Sequence, residues 1–254
     1  MNHISDQKLK RQHTEEAIRK RINNKGGHGS LGDFVLGAVD GTITTFAIVS
    51  GVAGTGMKGG VAVAFVLGLA NVIADGFSMG ASNFLKARSD RHTLDHYRAM
   101  EEMHIDRIPE GEREELRHIY ELKGFSGHIL DEIVETITQD KKLFVDTMLT
   151  EEWGLHLSPP SALRAGLVTF AAFVAAGMLP LLPLLLAFNS AFSSNTIFLY
   201  SAVVTALTFL ATGALQGHIL KRSKIITALE TLAVGSTAAL IAYAIGEFLS
   251  NLLV

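Results

Sequence analysis

Five stretches of this 254-residue chain, at about 33–57, 60–86, 161–188, 196–219 and 226–252, are apolar on nearly every face. Crossing a hydrocarbon layer of roughly 30 Å takes about 20 such residues in a helix, and each stretch is long enough. A soluble fold of this length cannot surround five helices that are apolar all round, because too little chain remains to cover them. The composition agrees, with 48% apolar and 19% charged residues. Of the 47 Lys, Arg, Asp and Glu residues, 36 lie in residues 1–30 and 87–160, so the chain meets two solvents. The fold class that follows is all-α: a polytopic membrane protein with five transmembrane helices and an inserted helical domain.

Orientation follows from the basic residues, which are retained on the cytoplasmic side of spans. Seven precede the first span and ten occupy residues 86–142. Arg164 opens the third span, and Lys221, Arg222 and Lys224 join the fourth to the fifth, while Lys58 alone lies on the opposite side. The chain therefore divides into a cytoplasmic basic segment (1–30), spans one and two (31–86), a cytoplasmic acidic domain (87–160) and spans three to five (161–254). The first segment reads as a basic amphipathic surface helix carrying Ile4, Leu9, Ala17, Ile18 and Ile22, followed by a flexible hinge at residues 25–30. This largely polar 30-residue segment does not have the pattern of a secretory signal peptide.

Several functions are excluded. The chain has no cysteine, which removes disulfide scaffolds, Cys-ligated zinc, iron–sulfur clusters and thiol catalysis. A net charge of −3, with no basic face beyond the first 25 residues, argues against nucleic acid as a partner.

Ionisable groups inside spans are costly and mark function by default. Asp40 lies about seven residues inside Asp33, roughly 10 Å from the cytoplasmic edge at 1.5 Å per residue. Met79, about seven residues before Lys86 on a span running the other way, reaches the same depth. Asp75 lies one turn further in and Asn71 one turn beyond it, all on one helical face. An amide, a carboxylate and a thioether opposite a second carboxylate suit a borderline divalent ion such as Fe²⁺ better than Mg²⁺ or Ca²⁺. No Lys or Arg occurs mid-span, so a proton or a bound cation must neutralise Asp40 and Asp75. Glu230 and Arg164 are expected to form a structural ion pair, and Glu247 to reach headgroup water. Gly37 with Gly41, and Gly76 with Gly80, form small-residue faces for approach between the first two spans or to a partner subunit. Pro180 and Pro183 are expected to break the third span.

Residues 87–160 carry 17 acidic against nine basic residues, a repulsion that bound cations relieve. Helices are expected at about 87–107, 111–123, 126–139 and 141–152. Glu101 and His104, Glu112 and Glu115, and Glu115 and His118 are each three apart and share a face; Met148 and Glu152 are four apart on the last helix, beside Glu151. His92 and His96 also share a face, but without the intervening glutamate of a zinc hydrolase. Two Glu-x-x-His pairs leave open a membrane-tethered di-iron ferroxidase, although ten residues and Pro109 separate them, unlike the separate bundle helices of that class. A non-transporting scaffold with a metal-sensing domain is the third reading.

Taken together, Leu36–Gly41 in the first span, Gly68–Asn71 and Ser78–Gly80 in the second with Ala87–Ser89 at its end, Met178–Pro183 in the third, and Ala228–Thr231 with Gly235 in the fifth resemble the vacuolar iron transporter family. The resemblance covers nearly everything after residue 31. It implies a homodimer that exports Fe²⁺ from the cytosol in exchange for protons, with no cofactor apart from the transported ion, Mn²⁺, Co²⁺ or Zn²⁺ being further candidates. The host would be the inner membrane of a prokaryote or the vacuolar membrane of a eukaryote. It also implies that Asp40 and Met79 line the path, and that Glu101, Glu112, Glu115, Met148 and Glu152, with His104 in a glutamate's place, load the metal. Asn71 stands where the family carries a glutamate, which passes proton coupling to Asp75. His104 would favour borderline metals and make loading sensitive to pH near 6 to 7.

Overall fold

The computed structural model describes residues 10–11, 13–23, 29–186 and 192–253. A short helix α1 (Glu15–Asn23) carries an Arg19–Glu15 ion pair of 3.0 Å. Ile4, Leu9 and the first four residues of the expected hinge lie outside the described residues, and the hinge's last two, Gly29 and Ser30, are helical. Five helices are long and apolar enough to cross a membrane. They are α2 (Gly29–Gly54), α3 (Gly60–Arg107), α7 (Ala162–Gly177, continuing to Leu185), α9 (Ser194–Ile219) and α10 (Lys224–Leu253).

The third of these breaks where its prolines fall. Pro180 lacks the N–H that would continue the ladder, and α7 gives way at Gly177 to a 3₁₀ turn (Leu179–Leu181) and a single turn α8 (Leu182–Leu185). The Ser201 hydroxyl donates to the Pro180 carbonyl at 2.6 Å. Ser193 caps α9, its side chain accepting from the Thr196 N–H.

Helix α2 is the hub, packed chiefly by α7 and also by α10 and α9. Both glycine stripes turn toward α7, which corrects the expectation that they bring the first two spans or two subunits together. A Cβ on Gly37 would collide with the Thr169 carbonyl, and one on Gly41 with backbone atoms of Phe173. Gly80 and Gly166 are mutually close: a Cβ on either would sit 2.9 or 2.8 Å from the other's carbonyl oxygen. The third span is thus the surface both earlier spans need.

The expected helix at 87–107 forms as the end of α3, because nothing between Lys86 and Arg107 breaks the ladder, and a Lys86–Asp90 pair of 3.1 Å bridges one turn. Arg164 and Glu230 correct a second expectation. Both are exposed on their helices and no ion pair joins them among the described residues, since α7 packs on α2 while α10 packs on α2 and α9.

Leu85–Ser161 form a compact unit of their own. It contains the end of α3, then α4 (Pro109–Leu122), α5 (Gly127–Thr138) and α6 (Lys141–Glu151). Pro109 occupies the first turn of α4, where its missing N–H has no partner to lose. Asp140 caps α6 through the N–H groups of Lys142 and Leu143. Leu116, Leu130, Val134, Ile137, Phe144 and Met148 make the core, and a smaller cluster joins Leu94, Val145 and Leu149. Ion pairs tie the helices outside it: Arg117–Asp131 (2.7 Å) between α4 and α5, and Arg98–Asp146 (2.6 Å) between α3 and α6.

Candidate metal site

Two carboxylates in the Leu85–Ser161 unit are buried as deeply as its leucines. Glu101 on α3 and Glu112 on α4 are each 1% exposed. Carboxylates are rarely buried without a partner, because removing the charge from water costs several kcal/mol. Each has one oxygen, Oε2, buried without a hydrogen-bond partner. The other oxygens are held: Trp153 Nε1 donates to Glu101 Oε1 at 2.9 Å, and His104 Nδ1 lies 3.1 Å from Glu112 Oε1. Ligand atoms of Glu101, His104 and Glu112 all fall within 4.8 Å of one another, a spacing that one ion can bridge.

Local sequence explains the convergence. Glu101 and His104 are three apart on α3, so both project from one face. The break at Ile108 and Pro109 then turns the chain, and Glu112 in the first turn of α4 faces back. Glu115 and Glu152 add their charge. Burial first, then the negative charges of Glu101 and Glu115, push the Glu112 carboxyl up to about 8. The same two neighbours, after burial, push Glu152 to about 7. A cluster of acids that hold protons near neutrality is a site short of positive charge.

Three of the six expected loading residues bring ligand atoms within reach of one another, Glu101, His104 and Glu112, while Glu115 and Glu152 act on the cluster through their charge. Met148 is fully buried in the apolar core beside Leu116 and Phe144. His118 does not join the cluster; its side chain is 72% exposed and faces Glu121 at 3.5 Å. Trp153 escaped the sequence reading. The signal was present, because it is the chain's only tryptophan and follows Glu152 directly.

In the spans, Asp40 lies on α2 and Asp75 on α3, and neither is ion-paired to a Lys or Arg among the described residues. Asp40 is half-buried and borders a groove of about 430 Å³ lined by Val35, Leu36, Val39 and Gln216 among others. Asp75 is exposed on the outer face of α3, among exposed Ile73 and Phe77. Met79 and Asn71 are half-buried, and Asn71 Nδ2 is a buried donor without a partner. Thr45 Oγ1 on α2 is another such atom, and sequence reasoning missed it. It also missed Asn83, which extends the Asn71, Asp75, Met79 spacing by four. Asn83 Nδ2 donates to Asp33 Oδ1 and to Thr169 Oγ1, both at 2.8 Å, joining three helices.

Comparison with known proteins is consistent with this geometry. The family model described as VIT family matches residues 31–247. A Toxoplasma gondii protein named vacuolar iron transporter is 31% identical over 221 residues, covering 85% of this chain and 72% of that one. A Plasmodium berghei protein of the same name is 30% identical over 228 residues, covering 87% and 82%. Vacuolar iron transporter 1 of Arabidopsis thaliana is 27% identical over 223 residues, covering 86% of each.

Proposed function

The chain belongs to the VIT family, and from that premise we propose that it is a secondary transporter moving Fe²⁺ out of the cytosol in exchange for protons, as a homodimer. Iron transport across a membrane is what the names of its relatives state. The observation that carries the exchange reading is that Asp40 and Asp75 stand in spanning helices with no Lys or Arg ion-paired to either among the described residues. Something mobile must neutralise them, and protons and divalent ions can do so alternately.

Glu101, His104, Glu112, Glu115 and Glu152 load the ion from the cytosol, and Met148 is a further candidate on the same helix as Glu152. Asp40 and Met79 line the path with Asn71, and Asp75 couples it to protons. Moving two charges against an inside-negative 100 mV costs about 4.6 kcal/mol, at about 2.3 per charge, and two returning protons cancel it. The dimer supplies what one chain lacks, because Asp75 on an outer face needs a second subunit to cover it. The His and carboxylate donors are compatible with Mn²⁺, Co²⁺ and Zn²⁺ as well.

A ferroxidase reading would require the second Glu-x-x-His pair, and the exposure of His118 weighs against it. Liposomes loaded with a pH-sensitive dye and given Fe²⁺, Mn²⁺, Co²⁺ or Zn²⁺ test transport directly. Metal-driven proton flux is expected from the unmodified protein and its loss from Asp40→Asn; full flux in that variant would remove Asp40 from the path. Oxygen consumption with Fe²⁺ would instead favour the enzyme.

A further inference from the structure

We propose that Trp153 is a positioning residue for metal loading: its indole N–H holds one oxygen of Glu101 so that the other is presented to the ion. The inference rests on the loading-site reading above. Glu101 has two oxygens in different circumstances. Oε1 accepts from Trp153 Nε1 at 2.9 Å, while Oε2 is buried with no partner. A carboxylate free to rotate would exchange them; one pinned at Oε1 leaves Oε2 as the oxygen without a partner in a residue whose carboxylate clusters with His104 and Glu112. Outer partners of this kind fix ligand orientation and typically change metal affinity about 10- to 100-fold.

The indole is itself held in place. Its ring lies against Tyr97, with centroids 4.2 Å apart and planes inclined by 37°. Tyr97 is one turn before Glu101 on α3, so the shelf and the ligand share one helical face. The chain around Trp153 is shaped for the contact. The Met148 carbonyl accepts from both the Glu152 and Trp153 N–H groups, and Gly154, at φ 63°, takes a left-handed turn that ends the helix. The Leu155 N–H then closes the turn on the Leu149 carbonyl at 2.9 Å. The turn brings Glu152 and Trp153 to Glu101 together.

The experiment uses the full-length protein in detergent, with Mn²⁺ and Zn²⁺ as probes. Because Trp153 is the only tryptophan, its emission reports on this contact alone. Zn²⁺, which does not quench by paramagnetism, is expected to shift that emission with the same midpoint as calorimetric binding. Trp153→Phe keeps a ring against Tyr97 but has no N–H, and should weaken Mn²⁺ binding about 10- to 100-fold with helix content unchanged. Trp153→His restores a ring N–H and should recover part of the loss. Wild-type Mn²⁺ affinity in Trp153→Phe, or an emission that ignores Zn²⁺ saturation, overturns the proposal. If instead Glu101→Gln and His104→Ala leave binding intact, the loading site itself has failed, and Trp153 with it. Should Trp153→Phe not fold, the emission of the unmodified protein and the His variant still decide.

Discussion

His104 Nδ1 lies 3.1 Å from Glu112 Oε1, across the helix break between α3 and α4, so one helix end and one helix start contribute to the same cluster. Removing His104 leaves the Glu112 carboxylate, which is buried, without its imidazole partner. His104→Ala and Glu112→Gln are each expected to weaken Mn²⁺ binding at least about tenfold, or about 1.4 kcal/mol. Calorimetric titration of the detergent-solubilised protein measures this, and unchanged affinity in both variants would remove the pair from the ligand set.

Acidic groups that hold protons near neutrality must release them when a cation arrives. With Glu112 up to about 8 and Glu152 at about 7, metal affinity should climb as pH rises from 6 to 8, with net proton release between. The sign for the metal-free protein is opposite. A carboxyl whose folded pKa is raised favours the folded state below its ordinary value, and that contribution is lost as pH rises through about 7 to 8. Thermal midpoints without metal should therefore fall from pH 5.5 to 8.5, and added Mn²⁺ should restore them most at the alkaline end. A metal-free midpoint that rises across this window would contradict the assignment.

Glycine stripes facing α7 make a packing prediction with an internal control. Gly37→Ala and Gly41→Ala place a methyl group against backbone of Thr169 and Phe173, which cannot give way as a flexible side-chain end would. Each should cost about 1–3 kcal/mol. Gly32→Ala, with nothing within 4 Å of the added carbon, should be near neutral. Thermal stability of the three variants, purified side by side, tests this ordering.

Asn83 joins Asp33 on α2 to Thr169 on α7. Asn83→Leu removes both bonds and leaves the Asp33 carboxylate without its amide partner. Polar contacts between membrane helices average about 0.6 and reach about 1.7 kcal/mol, and the loss should lie toward the upper figure because two bonds go together. Asn83→Asp, which sets a second carboxylate beside Asp33, should be worse at pH 8 than at pH 5. Equal stability at both values would show that the two groups do not face one another in solution.

Much of the loading cluster was legible because helical spacing is arithmetic. Glu101 with His104 shows a shared face in one dimension, and the Pro109 break suggests a return. Trp153 was harder to find. It sits beyond the end of α6, where no helical period applies, and its role depends on the left-handed turn at Gly154. The glycine stripes were visible as stripes, but their partner was not, because a small-residue face says that something approaches and is silent about what. The Arg164–Glu230 pairing failed for a related reason: similar depth in a membrane is one coordinate, and contact needs the helices to be neighbours as well.

Amino-acid order alone determined the five apolar spans, the breaks at Pro109 and Pro180, and the residue types available to hold an ion, because these depend on chain-local hydrophobicity, backbone restriction and side-chain chemistry. Tertiary packing decided that α7 is the surface served by both glycine stripes, that Glu101 and Glu112 are buried with unmatched oxygens, and that Trp153 holds one of them. Those outcomes depend on which helix faces meet, a property of distances between residues 50 or more positions apart that no local pattern contains.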